Sequence, residues 1–244
     1  MTAIQQVNKT RRKSRYAEKQ EEKQGTPTKE SILGRLSPLT ENQKKYIDAL
    51  CRCEQIVSLG PAGTGKTYVA AVLAANLFKT RQIDKIIVTR PVVPTGRDVG
   101  FFPGDLTEKM MNWCAPVVEV LKEQLGKGVF DTALKDENIE LIPFATMRGR
   151  SFNNTFVILD EAQNTELSEL KMFLTRQGEN CTVVINGDIS QTDLRSGSGL
   201  SQILYMIKKY EIPTPIIEFT TEDIVRSNIC KQWVLAFIEE ERLK

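Results

Sequence analysis

The chain has 244 residues, of which 41% are hydrophobic, and this is enough apolar material for one large core. It contains no histidine, which excludes Ser-His-Asp, Cys-His and His-Glu-x-x-His chemistry, so general-base work falls to carboxylates. No apolar run is long enough to cross a bilayer, and the N-terminus has no apolar signal segment. We therefore predict neither a membrane span nor secretion.

The formal net charge of +2 hides an asymmetry between the two parts of the chain. Residues 1–30 carry eight Lys/Arg and four Asp/Glu and lack an apolar period, which is typical of a flexible basic tail. Such a tail is either a solvated leader or an arm that contacts phosphate backbones. Residues 31–244 carry a net charge of −2, and we predict that they form a single domain.

The cysteines are scattered along the chain and odd in number, which argues against a disulfide framework. They are Cys51, Cys53, Cys114, Cys181 and Cys230. Cys51 and Cys53 have no second pair nearby that would complete a zinc site. A cytoplasmic location is expected from this pattern.

The predicted domain begins with a helix that runs to about Cys51, and Thr40 and Gln43 form a capping box at its start. A short buried strand over residues 56–59 and a helix over residues 68–75 follow. Between them the chain fits the phosphate-loop pattern G-x-x-x-x-G-K-[ST] at every fixed position, with Gly60, Pro61, Ala62, Gly63, Thr64, Gly65, Lys66 and Thr67.

This loop predicts a nucleotide site because backbone N–H groups can turn inward around phosphate only where side chains are small. Lys66 would reach the β- and γ-phosphates, and the Thr67 hydroxyl would contact Mg²⁺. The positive end of the following helix points at the same anion. The alternative is a Gly-rich turn that binds nothing.

Strands and helices then alternate along the rest of the chain, which predicts an α/β fold with a mostly parallel sheet and helices on both faces. Strands are predicted at 85–89, 139–144, 155–159, 182–186 and 216–220. Helices are predicted at 105–125 with a break near Pro116, at 166–177, at 199–209 and around Trp233. The irregular stretch between residues 91 and 104 is long enough to indicate a function.

Polar residues follow several of these strands, at the sheet edge where ligands bind in such folds. Asp160 is placed to anchor Mg²⁺, and Glu161 to orient and deprotonate a water. Gln191 sits after the next strand and could sense the γ-phosphate, although a plain Gly-Asp turn is the alternative. Arg226 is a candidate for the cation that stabilises the negative charge developing on the phosphate during phosphoryl transfer. The alternative is that it forms a surface salt bridge.

Seven long segments of the chain resemble the PhoH-like family of phosphate-loop ATPases, which is related to the core of superfamily 1 helicases. They are PLTENQ (38–43), GPAGTGKT (60–67), VTRPVVPTG (88–96), GFFPGDLTEKM (100–110), MRGRSFNNTFVILDEAQN (147–164), MFLTRQG (172–178) and NGDISQTDL (186–194). The family segment Asp-x-Val-Arg-His reads Asp223-Ile-Val-Arg226-Ser227 here, so the Arg is kept and the His is not.

The resemblance implies a three-layer RecA-like fold and hydrolysis of ATP with Mg²⁺. It implies that Gln43 recognises the adenine edge and that Lys66 and Thr67 hold phosphate and Mg²⁺. It also implies that Asp160 binds the metal and that Glu161 activates the water. Gln191 would contact the γ-phosphate, and Arg226 would be a phosphate-contacting arginine.

Related helicases use two such domains, whereas this chain has length for one, so we expect neighbouring copies in a homo-oligomer, such as a hexameric ring, to complete the site. Single-stranded RNA or DNA is the expected partner, with Arg90, Arg148 and Arg150 as contacts. The alternative is an ATP-dependent switch or assembly protein without helicase activity. A kinase is disfavoured because no acceptor pocket can be identified, and a GTPase because Asn-Lys-x-Asp is missing.

Overall fold

The computed structural model describes residues 36–91, 106–192, 194 and 197–242. The predicted tail and most of the irregular stretch after residue 91 lie outside the described residues. No helix in the described ranges is long and apolar enough to cross a membrane.

The described chain alternates strands with helices, as the sequence predicts. The strands are β1 Gln55–Leu59, β2 Lys85–Arg90, β3 Ile139–Pro143, β4 Thr155–Leu159, β5 Cys181–Gly187 and β6 Ile216–Glu218. The α-helices are α1 Glu41–Arg52, α2 Lys66–Lys79, α3 Leu106–Trp113, α4 Ala115–Leu125, α5 Lys127–Lys135, α6 Leu167–Leu174, α7 Gly199–Lys209 and α8 Asn228–Arg242.

The six strands form one sheet in the order β3-β2-β4-β5-β1-β6, and every pairing is parallel. Every residue of β4 and β5 is buried, as expected for strands covered on both faces. Because the strands are parallel, the loops after β1, β4 and β5 meet at one edge of the sheet. The strand β5 alone separates β1 from β4, which brings the loop at Gly60 close to Asp160.

Helices cover both faces of the sheet and make the three-layer α/β arrangement that the resemblance implies. On one face, α1 to α5 pack in a core that includes Tyr46, Leu73 and Phe130. On the other face, α6 and α7 pack with Phe144 and Phe173. The helix α2 is central because residues 70–75, four of which are alanine, are all buried and allow close approach to the sheet.

The break predicted near Pro116 is confirmed: the segment over residues 105–125 forms two helices that meet at Cys114, and Pro116 lies in the first turn of α4, where a missing N–H costs nothing. One helix differs from the sequence prediction. The helix α5 was not predicted from the sequence, because its signals are weak. It has only nine residues, it includes Gly128, and only Phe130 and Ala133 on it are buried. Its stability therefore comes from packing rather than from helix propensity.

Candidate active site

The pocket at the carboxyl edge of the sheet brings together most of the predicted site residues. It has a volume of about 530 Å³. Its lining includes residues from the ends of β1, β2, β4 and β5, from residues 36–39 before α1, and from residues 225–226 before α8. Six predicted residues from distant parts of the sequence line it: Gln43, Arg90, Asp160, Glu161, Gln191 and Arg226, together with most of the phosphate loop.

The phosphate loop runs from the end of β1 into α2 and uses its glycines for close contacts. Gly60 has φ +128°, and a Cβ atom there would lie 2.3 Å from the carbonyl oxygen of Phe219. Gly65 has φ +89° and directly precedes α2. Neither position tolerates a larger residue without strain, because this region of φ is costly for residues with a Cβ.

The Lys66 ammonium group lies inside the loop. Its Nζ donates to the carbonyl oxygens of Gly60 at 2.6 Å and Pro61 at 2.8 Å, and to Thr64 Oγ1 at 3.2 Å. Burial lowers the pKa of Lys66, while the negative charges of Asp188, Asp160 and Glu161 oppose that shift. A cation held by carbonyl dipoles in a partly desolvated loop is suited to exchange those oxygens for phosphate oxygens.

Thr67 and Asp160 are the predicted Mg²⁺ ligands, and they face each other. Thr67 Oγ1 lies 3.4 Å from Asp160 Oδ1, and the backbone N–H of Asp160 donates to the Thr89 carbonyl oxygen at 2.9 Å. Burial raises the pKa of Asp160 and the Glu161 charge raises it further, whereas Arg90, Lys66 and Thr67 act in the opposite direction. A half-buried carboxylate beside a second acid and a hydroxyl fits Mg²⁺, which takes few protein oxygens and fills its shell with waters and phosphates.

Glu161 is held in a defined orientation at the pocket wall. Its backbone has φ 55° and ψ 40°, a left-handed conformation that non-glycine residues adopt rarely and often at functional sites. Its Oε1 lies 3.5 Å from Arg90 Nη2, and Arg90 Nη1 donates to the Trp113 carbonyl oxygen at 3.0 Å. Its Oε2 accepts from Gln163 Nε2 at 2.5 Å. The carboxylate is thus positioned from two sides.

Gln163 is a site residue that sequence reasoning did not assign. Its exposed fraction is 1%, and its Oε1 accepts from the Asp188 N–H at 3.0 Å while its Nε2 donates to Glu161. The Thr192 hydroxyl donates to its backbone carbonyl oxygen at 3.1 Å. One buried amide therefore joins the Glu161 carboxylate to the loop that carries Gln191. The available signal was its place two residues after Glu161 within the motif over residues 147–164.

Gln191 and Asp188 belong to that loop at the end of β5. Gln191 ends a short 3₁₀ helix, Ile189–Gln191, and is exposed at the pocket. Asp188 caps this helix, since its Oδ1 accepts from the Ser190 N–H at 3.1 Å and from its hydroxyl at 2.6 Å. The predicted turn is present, because Asp188 caps it, and Gln191 lines the pocket.

Gln43 joins the segment before α1 to the phosphate loop. Its Oε1 accepts from the Leu39 N–H at 2.8 Å, and its Nε2 donates to the Thr64 carbonyl oxygen at 3.0 Å. Its backbone N–H donates to Thr40 Oγ1 at 3.2 Å, so the Thr40 half of the predicted capping box forms, whereas the Gln43 side chain reaches Leu39 instead of Thr40. The side-chain oxygen of Gln43 can still accept one hydrogen bond, and its side-chain nitrogen can still donate one.

Arg226 lies against the outer side of the phosphate loop. A Cβ atom at Gly63 would come 2.7 Å from Arg226 Nε, and the Val225 N–H donates to the Gly63 carbonyl oxygen at 3.0 Å. Asn42 Nδ2 and the Thr220 N–H donate to the Asp223 carboxylate, both at 2.8 Å, and so fix the segment that leads to Arg226. The tertiary structure therefore places this arginine beside the phosphate site.

The three arginines predicted to contact nucleic acid do not lie together. Arg90 is at the pocket beside Glu161, and Arg148 is exposed after a 3₁₀ helix. Arg150 forms an ion pair with Glu140, which also pairs with Lys85. Arg150 lines a separate cavity near the starts of β2 and β4, far from the phosphate-binding edge.

The family model described as PhoH-like protein matches residues 35–238. The chain belongs to the PhoH-like family. The chain is 45% identical over 201 residues to Protein PhoH of Escherichia coli K12, covering 81% of this chain and 56% of that protein. It is 41% identical over 200 residues to a PhoH-like protein of Bacillus subtilis, covering 81% of this chain and 62% of that protein.

Another relative matches over a similar length. A PhoH-like protein of Mycobacterium tuberculosis is 39% identical over 208 residues, with 84% of this chain and 59% of that protein covered. This PhoH-like chain thus spans less than two thirds of the length of these relatives. The crystal structure of the Pif1 helicase from Candida albicans superposes with a TM-score of 0.38 and 16% identity, over 76% of this chain and 41% of that one.

We expect Gln163→Ala to lower kcat for nucleotide hydrolysis by about tenfold to a hundredfold and to change KM by less than about threefold. The reason is that Glu161 loses its buried donor while the phosphate loop is untouched. Gln177→Ala is a matched control, because the Gln177 side-chain amide also makes hydrogen bonds within the fold, to the carbonyl oxygens of Glu54 and Cys181, but away from the pocket. Steady-state kinetics and thermal unfolding of both variants check this, and an equal loss of kcat in the two would contradict it.

Proposed function

We propose that this chain binds ATP with Mg²⁺ and hydrolyses it to ADP and phosphate. The observation that carries the proposal is the meeting, in one pocket, of the phosphate loop with Lys66, the Thr67–Asp160 pair and the oriented Glu161. These are the parts that phosphoryl transfer to water requires: a phosphate cradle, a metal anchor and a base.

The chain's own residues divide the work of hydrolysis. Lys66 exchanges the loop carbonyl oxygens for phosphate oxygens. Thr67 and Asp160 would hold the metal, which would supply positive charge beside the phosphates. Glu161 orients a water and takes its proton as the water oxygen bonds to the γ-phosphorus and the bond to ADP breaks. Gln191 faces the same space and is placed to respond to the γ-phosphate, and Arg226 to meet the charge that develops.

Selectivity for adenine is proposed to depend on Gln43 and on the segment before α1. This segment, residues 36–39, lines the pocket beside the loop, and the Gln43 amide ties it to Thr64. The hydrogen-bonding positions that Gln43 keeps suit the paired donor and acceptor on the adenine edge. ATP is therefore expected to be preferred to GTP.

The test of this function is a comparison of nucleotide binding and turnover by the purified chain and by Lys66→Ala. We expect Mg²⁺-dependent phosphate release from ATP, slower release from GTP, none with EDTA, and at least about a hundredfold weaker ATP binding by the variant. Lys79→Ala, at the far end of α2, is the control that removes a lysine outside the pocket. A wild-type chain that binds no ATP would overturn the proposal.

We further propose that the ATPase acts on, or is regulated by, single-stranded RNA or DNA. The support is the basic composition of residues 1–30 and the exposed Arg148, whereas Arg90 and Arg150 already have acidic partners. Phosphate contacts of this kind give binding that weakens steeply with salt. Stimulation of phosphate release by single-stranded RNA, reduced in Arg148→Ala, is the expected result; turnover that no nucleic acid changes would contradict it.

The second candidate function is an ATP-dependent oligomeric switch or assembly protein, and an exposed apolar face on α8, formed by Ile229, Trp233 and Phe237, favours it. A homo-oligomer, such as a hexameric ring, is part of both proposals, since a neighbour would close the open side of the pocket. Slow turnover that is insensitive to nucleic acid but coupled to assembly would favour the switch. We propose a cytoplasmic location for either activity, because the cysteines are scattered along the chain and odd in number, which argues against disulfide bonds.

A further inference from the structure

The segment that joins β6 to α8, residues 219–226, lies along the phosphate loop. The Phe219 N–H donates to the Leu59 carbonyl oxygen at 2.7 Å, where the loop begins. The Val225 N–H donates to the Gly63 carbonyl oxygen at 3.0 Å, in the middle of the loop. The 219–226 segment is therefore attached to the loop near both of its ends.

Asp223 holds this segment in shape and ties it to another part of the fold. Its exposed fraction is 4%, and its Oδ2 accepts from the Thr220 N–H at 2.8 Å and from the Thr220 hydroxyl at 3.3 Å. The same oxygen accepts from Asn42 Nδ2 at 2.8 Å. Burial raises the pKa of Asp223, but the hydrogen bonds from Asn42, Thr220 and Thr40 outweigh burial and lower it. The carboxylate is therefore charged at neutral pH and binds its donors strongly.

Asn42 lies in the same helical turn as Gln43. They are the second and third residues of α1, and neighbouring residues of a helix point about 100° apart, so the two amides reach different partners. Gln43 Nε2 donates to the Thr64 carbonyl oxygen, and Asn42 Nδ2 donates to Asp223. A closed ring of hydrogen bonds thus runs from the phosphate loop through α1 and the 219–226 segment and back to the loop.

We propose that Asp223, through its hydrogen bond from Asn42, is a positioning residue that makes the place of Arg226 depend on the place of Gln43. Arg226 follows Asp223 by three positions and lines the nucleotide pocket, as Gln43 does. Its side chain packs at Gly63, where a Cβ atom would lie 2.7 Å from Arg226 Nε. The consequence for hydrolysis rests on the proposed function, whereas the hydrogen-bonded link itself does not.

The link transmits the identity of the base to the phosphate end of the pocket. With adenine bound, Gln43 keeps its hydrogen bond to Thr64, α1 keeps its position, and Asp223 holds Arg226 beside the phosphates. Guanine carries an acceptor where adenine carries a donor, so Gln43 must turn to meet it and gives up a bond to Thr64 or Leu39. The shifted turn of α1 then displaces Arg226 through Asp223. Selection of the base therefore affects kcat as well as KM.

The first test is steady-state turnover of ATP and GTP with Mg²⁺ by the full chain and by Asn42→Ala, which removes the link and keeps Gln43 and Arg226. We expect kcat for ATP to fall about fivefold to twentyfold, with ATP affinity and kcat for GTP within about threefold of the wild type. The matched control is Asn76→Ala, which removes an amide hydrogen bond of the same length, 2.8 Å, to the Val72 carbonyl oxygen at the far end of α2. It should leave these values unchanged.

A double-mutant cycle separates positioning from general stability. Because Asp223 acts through Arg226, Asn42→Ala should lower kcat no further when Arg226→Ala is already present. Asn42→Asp sets a second carboxylate against Asp223 and should lower kcat for ATP more than Asn42→Ala does. Thermal unfolding confirms that each variant is folded. Losses of kcat that add in the cycle, or an equal loss for ATP and GTP in Asn42→Ala, overturn the proposal.

Hydrogen exchange without nucleotide tests the link independently of hydrolysis. In Asn42→Ala the Val225 N–H should exchange at least about tenfold faster, because the 219–226 segment opens more often. The Asp160 N–H, which donates to the Thr89 carbonyl oxygen, should keep its rate. Unchanged exchange at Val225 overturns the link even if the chain hydrolyses ATP. A chain that hydrolyses no ATP overturns the proposed function, and the exchange rates then decide the link alone.

Discussion

Glu161→Gln is expected to lower kcat for ATP hydrolysis by about a hundredfold to ten-thousandfold while ATP affinity stays within about threefold of the wild type. The amide keeps the shape of the side chain and cannot accept a proton from water. Removal of the Glu161 charge also removes one cause of the raised pKa of Asp160, so Asp160 should stay available as a metal ligand. Single-turnover phosphate release and equilibrium binding of ATP with Mg²⁺ measure the two effects.

The control for this variant is Glu218→Gln, which makes the same change at an exposed carboxylate at the end of β6. It should leave kcat and affinity unchanged. If Glu161→Gln turned over ATP at the wild-type rate, Glu161 would not be the base, and hydrolysis would have to use another carboxylate of the pocket, such as Asp188.

Asp160→Asn is expected to abolish Mg²⁺-dependent hydrolysis, with a loss of at least about a thousandfold, and to stabilise the nucleotide-free protein by about 1 kcal/mol. Activity is lost because the amide is a poor Mg²⁺ ligand. Stability increases because the native carboxylate is desolvated and lies beside Glu161, which together raise its pKa. Denaturant unfolding with EDTA, and ATP turnover with Mg²⁺, test the two results.

The pH dependence of this effect has a defined sign. Because the pKa of Asp160 is higher in the folded protein than its ordinary value of 3.8, the folded state holds the proton to higher pH than the unfolded chain does. The free energy of unfolding of the wild type therefore decreases as pH rises from 3.8 to the raised pKa. The difference in free energy of unfolding between Asp160→Asn and the wild type grows over that range and is constant above it. Apparent Mg²⁺ affinity of the wild type should fall as pH drops through the raised pKa.

Asp84→Asn is the matched control for stability, because Asp84 is an exposed aspartate just before β2. Its free energy of unfolding should change by less than about 0.5 kcal/mol at any of these pH values. A destabilised Asp160→Asn protein would show that the hydrogen bond from Thr67 and the attraction of Lys66 outweigh burial in the folded protein.

Most strands and the phosphate loop could be predicted from the sequence, because their signals are local. The apolar run over residues 155–159 matches β4 at both ends, and the helix predicted over residues 199–209 matches α7. Buried parallel strands are continuous apolar runs, and Ser198 caps α7 with its side chain, so each segment carries its own boundaries. The helix α5 has no such signals, and it was missed.

The candidate site could be predicted less completely, because its hydrogen bonds join residues far apart in the chain. Gln43 pairs with Thr64, and Asn42 pairs with Asp223, which lies 181 positions later. The arginines show the same limit: Arg150 is neutralised by Glu140, while Arg90 turns toward Glu161. Charge in the sequence does not tell which partner a guanidinium finds.

The sequence by itself determined the alternation of strands and helices, the phosphate cradle and the acidic pair at residues 160–161, because these depend on residue type and short spacing. Only the tertiary structure decided that Gln163 joins Glu161 to the Gln191 loop, that Arg226 lies on the phosphate loop, and that α8 leaves aromatic side chains exposed. The physical reason is that buried hydrogen bonds and exposed surfaces are set by how whole elements pack. No local pattern of residues contains that information.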